Sequence, residues 1–447
     1  MGFYIDIPKP KAWPPPLLGD SQRVRALLEY GAKRDPVGDK IHTAFACLFM
    51  FALPISTYSA SLSMWVVCAY SLIRLPSTWR TVVPLLRSSV FWSILVWGAW
   101  SLLSMIWTSE LDMAQGHARS IRMVAIPIVL IPVARRWPLF IIFLLLGVAL
   151  QNLTQLSEVV GSWFMNGHDW KTGSPLFRPA GWDKHQGNAA MFMGFAVIIW
   201  LGIYISKKSI ARWAVAGLLL ALFGTVIAKS MAVGLGLFIA LIMLFWWVLS
   251  RKHLSRKQFI TILSTMLLCV FVVGIFGGES IQSRLQVTFE DSQKYSEGTV
   301  SENSSTQYRL HWWRTTLDHV FDEPVILHAL VGHGLGNTRA IDFSKEGSTI
   351  SPVAGHPHNT FIQILYEGGI VGLAIFLWML LKIFGGVKQV SNKLGSVAYP
   401  VCASLVVLWS VAAFFESSQN SGRPLALLVL VGTFVLFYNV TVQETRE

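Results

Sequence analysis

Long apolar runs recur along this chain, separated by shorter stretches in which the polar residues collect. A helix needs about 20 mostly apolar residues to cross the hydrocarbon of a bilayer. Runs of that kind fall at about 41–57, 58–75, 89–107, 120–134, 138–156, 188–205, 210–228, 231–249, 258–277, 360–381, 397–415 and 424–440. Pro54 and the Ser/Thr cluster at 56–61 divide the first two by a tight turn. The pattern predicts an all-α polytopic membrane protein with about twelve transmembrane helices. The first apolar run begins near Ile41, after a polar leader rich in proline from Pro8 to Pro16. A cleaved signal peptide has its apolar core much nearer the start, so this run is expected to be a retained helix.

Composition agrees with the pattern. Hydrophobic residues make up 53% of the chain and charged residues 13%, against roughly 25% charged in a soluble protein. The net charge of +12 raises the question of nucleic acid, but no basic motif interleaved with base-stacking aromatics lies outside the apolar runs. The basic residues fall in alternate loops instead: Arg74, Arg80 and Arg87; Arg135 and Arg136; Lys207, Lys208 and Arg212; Arg251, Lys252, Arg256 and Lys257; Lys382, Lys388 and Lys393. The leader adds Lys33, Arg34 and Lys40. Such alternation places both termini in the cytoplasm. The chain then divides into a cytoplasmic leader (1–40), helices one to nine (41–277), a large outer loop (278–358), and helices ten to twelve with a short cytoplasmic tail (359–447). The four cysteines, Cys47, Cys68, Cys269 and Cys402, all lie in apolar stretches, and they form neither a disulfide framework nor a metal knuckle.

A loop as long as 278–358 is usually functional. Within it, Gln307–Asp322 reads as an amphipathic helix with Leu310, Trp313, Leu317, Val320 and Phe321 at helical spacing. Such a helix is expected on the membrane surface or over a cavity. Mid-span positions are almost bare of ionisable groups, unlike those of transporters, so the chemistry is expected at a surface. The densest constellation is Gly355-His356-Pro357-His358-Asn359-Thr360, at the lip of the tenth run. Histidine takes a proton from a hydroxyl near neutral pH, and Asn359 can orient a ring or donate to a sugar hydroxyl. The alternatives are interfacial anchoring, or a zinc site completed by His333, His311 or His185. Arg178, Arg284, Arg309 and Arg314, with Lys229, are cations on the side where basic residues are least expected. Arginine grips phosphate oxygens as a bidentate fork. Arg314 has a simpler partner in Asp318 at i,i+4. Gly332-His333-Gly334-Leu335-Gly336 lacks the Lys-Ser/Thr of a P-loop and is expected to be a tight turn folding under the His356 segment. Glu367 needs a partner if buried.

The run His358-Asn359, then Gly369, then Phe376 resembles the signature of bacterial O-antigen ligases and related polymerases. Arg309 with Trp312 and Trp313, the Gly332–Gly336 stretch, the long late loop and the twelve spans fit the same superfamily. One departure is visible: members often carry Ser-Arg-Gly before the eighth span, where this chain has Lys229-Ser230-Met231-Ala232. Lys229 or Arg178 is then the substitute cation. The resemblance implies a multi-pass protein of the bacterial inner membrane whose outer loop is periplasmic. It would move a glycan from undecaprenyl diphosphate to a sugar hydroxyl of lipid A–core, with inversion and without metal or other cofactor. His358 would be the base. Arg309, Arg178, Lys229, Arg284, His356 and Asn359 would hold diphosphate or substrate. The partners implied are the lipid-linked donor, the lipid A–core acceptor and membrane lipid, with no nucleic acid. A polymerase or a protein O-oligosaccharyltransferase of the same superfamily differs only in acceptor. The chain ends soon after the twelfth span, which leans toward the ligase. A transporter of lipid-linked glycan is the reading from another class.

Overall fold

The computed structural model describes residues 21–166, 180–183, 185–206, 208–250, 305–321, 326–341, 357–394, 397–416 and 422–441, with isolated residues between 260 and 293. All regular structure among them is helical. In hydrocarbon each backbone N–H and C=O must find a partner inside its own segment, which a helix provides. In chain order the helices are α1 (Ser21–Arg34), α2 (Pro36–Ala52), α3 (Thr57–Val82), α4 (Ser89–Leu103), α5 (Leu111–Ile121), α6 (Ile126–Leu130), α7 (Trp137–Asn166) and α8 (Gln186–Ser206). They continue with α9 (Ala211–Ile227), α10 (Met231–Ser250), α11 (Ser305–Phe321), α12 (Ile326–Val331), α13 (Thr360–Leu394), α14 (Ala398–Phe415) and α15 (Gly422–Thr441).

Helical stretches at Ser89–Trp107, Leu111–Gly161, Gln186–Ser206, Thr360–Val387 and Ala398–Phe415 are long and apolar enough to cross a membrane. Shorter apolar helices at Ala211–Ile227, Met231–Trp247 and Gly422–Phe437 pack among them. The chain is an all-α membrane protein. Large apolar side chains such as Leu62, Trp65, Leu146, Leu235, Phe238, Trp246, Leu377 and Leu381 face outward, as lipid-facing positions do. The interior is close-packed. Phe376 lies between Trp97 and Trp409, with ring centroids 5.5 and 5.9 Å away. A Cβ on Gly236 would lie 2.8 Å from the Leu408 carbonyl, so the missing side chain lets α10 and α14 approach closely.

The expected turn between the first two spans is present: α2 ends at Ala52, and Ser56 caps α3 through a reciprocal bond with Ser59. The run at 120–134 differs from expectation. It is α6 flanked by tight 3-10 turns at Arg122–Ala125 and Ile131–Arg136. Pro127 and Pro132 each remove a backbone donor and crowd the preceding turn, so an apolar count alone overstated its regularity. The ninth run, 258–277, lies almost wholly outside the described residues, as does most of the loop 278–358.

Contacts between chain segments separate the two ends of the bundle. At one end Arg74 Nε bonds Asp35 Oδ2 at 2.9 Å, and Arg135 pairs with Asp39. At the other, Arg423 Nε donates to the Leu53 carbonyl at 2.7 Å, and Trp100 Nε1 donates to the Gly368 carbonyl at 3.0 Å. The second end carries His358.

Candidate active site

Asparagine is among the strongest N-cap residues, because its side chain satisfies the first orphan N–H groups of a helix. Asn359 does this for α13: its Oδ1 accepts from Phe361 N at 2.9 Å and from Ile362 N at 3.1 Å. The residue is 1% exposed. Its Nδ2 is buried with no hydrogen-bond partner among the described residues, a donor held at the base of the site. His358 precedes the cap with φ +50°, in the left-handed region that costs an ordinary residue on the order of 1–3 kcal/mol. The cap and the contacts below hold it there.

Helix α11 supplies one wall. Trp312 stacks on the His358 imidazole at 5.5 Å with 17° between planes, and Tyr308, one turn earlier, stacks on Trp312 at 5.9 Å. Trp313 donates to the Pro357 carbonyl at 2.8 Å. The other wall is the residue following α14. Glu416 Oε2 lies 3.4 Å from His358 Nδ1, and its Oε1 lies 3.6 Å from Arg309 Nη2. Arg309 Nη1 also donates to the Phe415 carbonyl at 3.2 Å, and Thr360 Oγ1 donates to the Glu416 carbonyl at 2.7 Å. The result is an array, Arg309–Glu416–His358, drawn from three elements. In the tautomer with its proton on Nδ1, the ring donates toward Glu416 and carries its lone pair on Nε2. All three side chains are about one-quarter to one-third exposed (34%, 34% and 27%), so the array is open to a ligand.

Helix rise sets Lys229 at a similar depth. Gly194 of α8 and Gly236 of α10 both pack against Leu408 of α14. Moving seven or eight residues outward from that level brings each helix to Gly187, Lys229 and Glu416, about 10–12 Å higher in each case. A Cβ on Gly187 would lie 4.0 Å from Glu416 Cδ. Lys229 occupies the α9–α10 turn with φ +50°, a second strained non-glycine residue at this end.

Beneath the array the glycines have a purpose that their spacing did not show. Helix α13 is interrupted at Gly369 (φ +68°, ψ −173°). Into the gap comes the chain at Gly332–Gly334, where His333 N donates to the Tyr366 carbonyl and Gly334 N to the Glu367 carbonyl, each at 2.9 Å. A Cβ at Gly369 would sit 2.2 Å from the Leu330 carbonyl, and one at Gly332 would sit 2.4 Å from that of Glu367. The glycine run therefore packs beneath Tyr366–Gly369; His356 lies outside the described residues. Glu367, 3% exposed, has the partners its burial demands: Gln363 Nε2 at 2.8 Å, Thr338 Oγ1 at 3.3 Å and His117 Nδ1 at 3.6 Å.

Of the residues singled out in the sequence, His358, Asn359 and Arg309 come together, and Lys229 reaches the same level. Arg178, Arg284 and His356 lie outside the described residues. Arg314 pairs with Asp318 at 3.8 Å on an exposed face. The helix expected at Gln307–Asp322 exists, but its buried positions are Gln307, His311, Thr316 and Val320, while Phe321 is 60% exposed. That face is more polar than the spacing indicated; it packs on α13, with Val320 in one cluster with Tyr366 and Ile341. Glu416 was missed. Its one signal is a lone carboxylate at the outer end of an apolar run. Glu158 was missed too; its Oε2 accepts from Ala180 N and Gly181 N, both at 3.0 Å.

Residues 216–377 match the family model described as O-antigen ligase. Over that stretch, a little over a third of its length, the chain is similar to the O-antigen ligase superfamily. The matched stretch includes Lys229, Arg309, His358 and Asn359 and stops short of Glu416. A protein of Rickettsia prowazekii (strain Madrid E) named "Putative polysaccharide ligase" is 30% identical over 108 residues, covering 23% of this chain and 25% of the relative. Its namesake in Rickettsia conorii is 28% identical over 106 residues, with the same coverage. The chain thus spans about a quarter of the length of the curated relatives it matches.

Proposed function

We propose that this protein is an O-antigen ligase of the bacterial inner membrane, transferring a glycan from undecaprenyl diphosphate to a sugar hydroxyl of lipid A–core. The observation that carries the reading is the Arg309–Glu416–His358 array, two of whose members, Arg309 and His358, lie in the stretch similar to O-antigen ligases. The topology proposed with it has twelve spans, both termini cytoplasmic and the 278–358 segment periplasmic. In support, Arg74 and Arg135 lie at the end of the bundle opposite His358.

A sugar hydroxyl is a weak nucleophile. Nε2 of His358 takes its proton as the oxygen attacks the anomeric carbon, while Glu416 stabilises the imidazolium that forms. The bond from that carbon to the diphosphate oxygen breaks, its electron pair stays with the diphosphate, and attack from the opposite face inverts the centre. Fixed cations aimed at the departing charge lower the barrier without rearranging. Arg309, Lys229, Arg178 and Arg284 are assigned to that task, with His356 and the buried Asn359 amide on sugar oxygens. Arg309 has a double part, since its guanidinium also orients Glu416.

Purified protein in liposomes, given lipid-linked glycan and rough lipopolysaccharide, tests the assignment. Transfer to the core that persists in EDTA and falls about a hundredfold or more in His358→Ala is expected. Glycan lengthening on the carrier with none on the core makes the protein a polymerase instead. Normal transfer by His358→Ala removes the base assignment.

A further inference from the structure

Two arginines away from the array stand at a lipid-facing corner. Arg119 lies in the last turn of α5 and is exposed, and Arg122 follows as the residue that ends the helix. Positions three apart emerge on the same side. The Arg122 guanidinium bonds the Ser61 hydroxyl and lies 5.5 Å over the Trp65 ring. Around it Tyr58, Leu62 and Trp65 of α3 are 79%, 54% and 61% exposed, the profile of a surface that meets lipid. Helix α3 starts at Thr57, on the bundle end that carries His358. Ser61 and Trp65 are therefore about 6 and 12 Å below that start, at the depth of headgroups and upper acyl chains.

A guanidinium at that depth needs a counter-ion, and the described residues around it supply none. Helices α3, α4 and α15, which pack around this corner, contain no Asp or Glu. On α5 itself Asp112 is seven residues from Arg119, about 10 Å along the helix. Glu416 is engaged by Arg309 and His358. Neither Arg119 nor Arg122 has an ion pair among the described residues, and Arg122 Nε is buried without a hydrogen-bond partner. The C-terminal dipole of α5 favours cations but leaves two whole charges unbalanced.

We propose that Arg119 and Arg122 form a binding site for the phosphate of a lipid headgroup, in the leaflet at the His358 end of the bundle. Paired guanidinium forks match phosphate oxygens, and the Trp65 ring and Ser61 hydroxyl hold one fork in place. Two lipids offer this chemistry there: a bulk phospholipid, and a phosphorylated lipid A. Its test reads lipid binding and does not depend on activity.

Delipidated protein would be mixed with phosphatidylglycerol, with diphosphoryl lipid A, or with lipid A stripped of phosphate, and retention read by native mass spectrometry. Wild type is expected to retain a phosphorylated lipid, and Arg119→Gln/Arg122→Gln to retain about tenfold less. Arg119→Gln alone, at an exposed position, is expected to lose part of the binding with an unchanged melting temperature, and His358→Ala to lose none. Loss confined to lipid A makes the site an acceptor contact, and loss confined to phosphatidylglycerol makes it a structural lipid site; either supports the proposal. Equal retention by wild type and the double variant, or equal retention of lipid A without its phosphates, would overturn it.

Discussion

At the level of single residues, Asn359 separates two tasks that one side chain performs at once. Its Oδ1 caps α13, while its buried Nδ2 faces no partner among the described residues. Asn359→Ala removes both and is expected to cost about 1 kcal/mol of stability through the cap. Asn359→Asp keeps an acceptor for the cap and loses the donor. Thermal stability near wild type with transfer reduced about tenfold or more is expected, read by a melting curve beside the liposome assay. Trp312 holds the imidazole plane by stacking, so Trp312→Ala is expected to lower turnover while Trp312→Phe restores much of it. Glu416 shows why part of the site was illegible in the sequence. His358 and Asn359 sit in a motif with fixed local spacing and Arg309 stands beside Trp312 and Trp313, whereas Glu416 lies 58 positions from its partner in a short polar stretch with no pattern of its own.

Among the elements, the break in α13 governs how the site is supported. Gly369 sits in an apolar helix, where a glycine ordinarily reads as a tolerated weak spot. Only the close passage of the 330–334 chain shows that a side chain is impossible there. Gly369→Ala and Gly332→Ala each combine a positive φ with a Cβ inside 2.5 Å of backbone. Each is expected to cost about 2 kcal/mol or more, seen as a lowered melting temperature in detergent. Glu367 joins α13 to α5 and to the 337–340 turn. Glu367→Leu would leave Gln363 and Thr338 without their buried acceptor, at a cost of about 1–3 kcal/mol. Glu158 acts in the same way on the segment that follows Arg178. Releasing the Ala180 and Gly181 N–H groups by Glu158→Ala is expected to reduce transfer through loop position while leaving the helices folded, as circular dichroism would report.

Across the whole molecule, the apolar pattern foretold the helical membrane class and most of the helices. It read least well where backbone geometry rather than apolarity decides: at Pro127 and Pro132, which fragment a run, and at Gly369, which breaks α13. Arg74 and Arg135, two of the alternating basic positions, lie at the end of the bundle away from His358. What the pattern could not convey is which loops meet. The site exists because helix packing brings the ends of α11, α13 and α14 together, and that adjacency is set by long-range contacts such as Trp97–Phe376–Trp409. The central claim is that Glu416 acts through His358. A double-mutant cycle on single-turnover transfer tests it most directly, using His358→Ala, Glu416→Gln and the pair, at matched amounts of folded protein. If the claim holds, Glu416→Gln slows transfer about tenfold or more in the wild-type background and has no further effect once His358 is gone. Additive losses would show the two side chains acting independently and would contradict it.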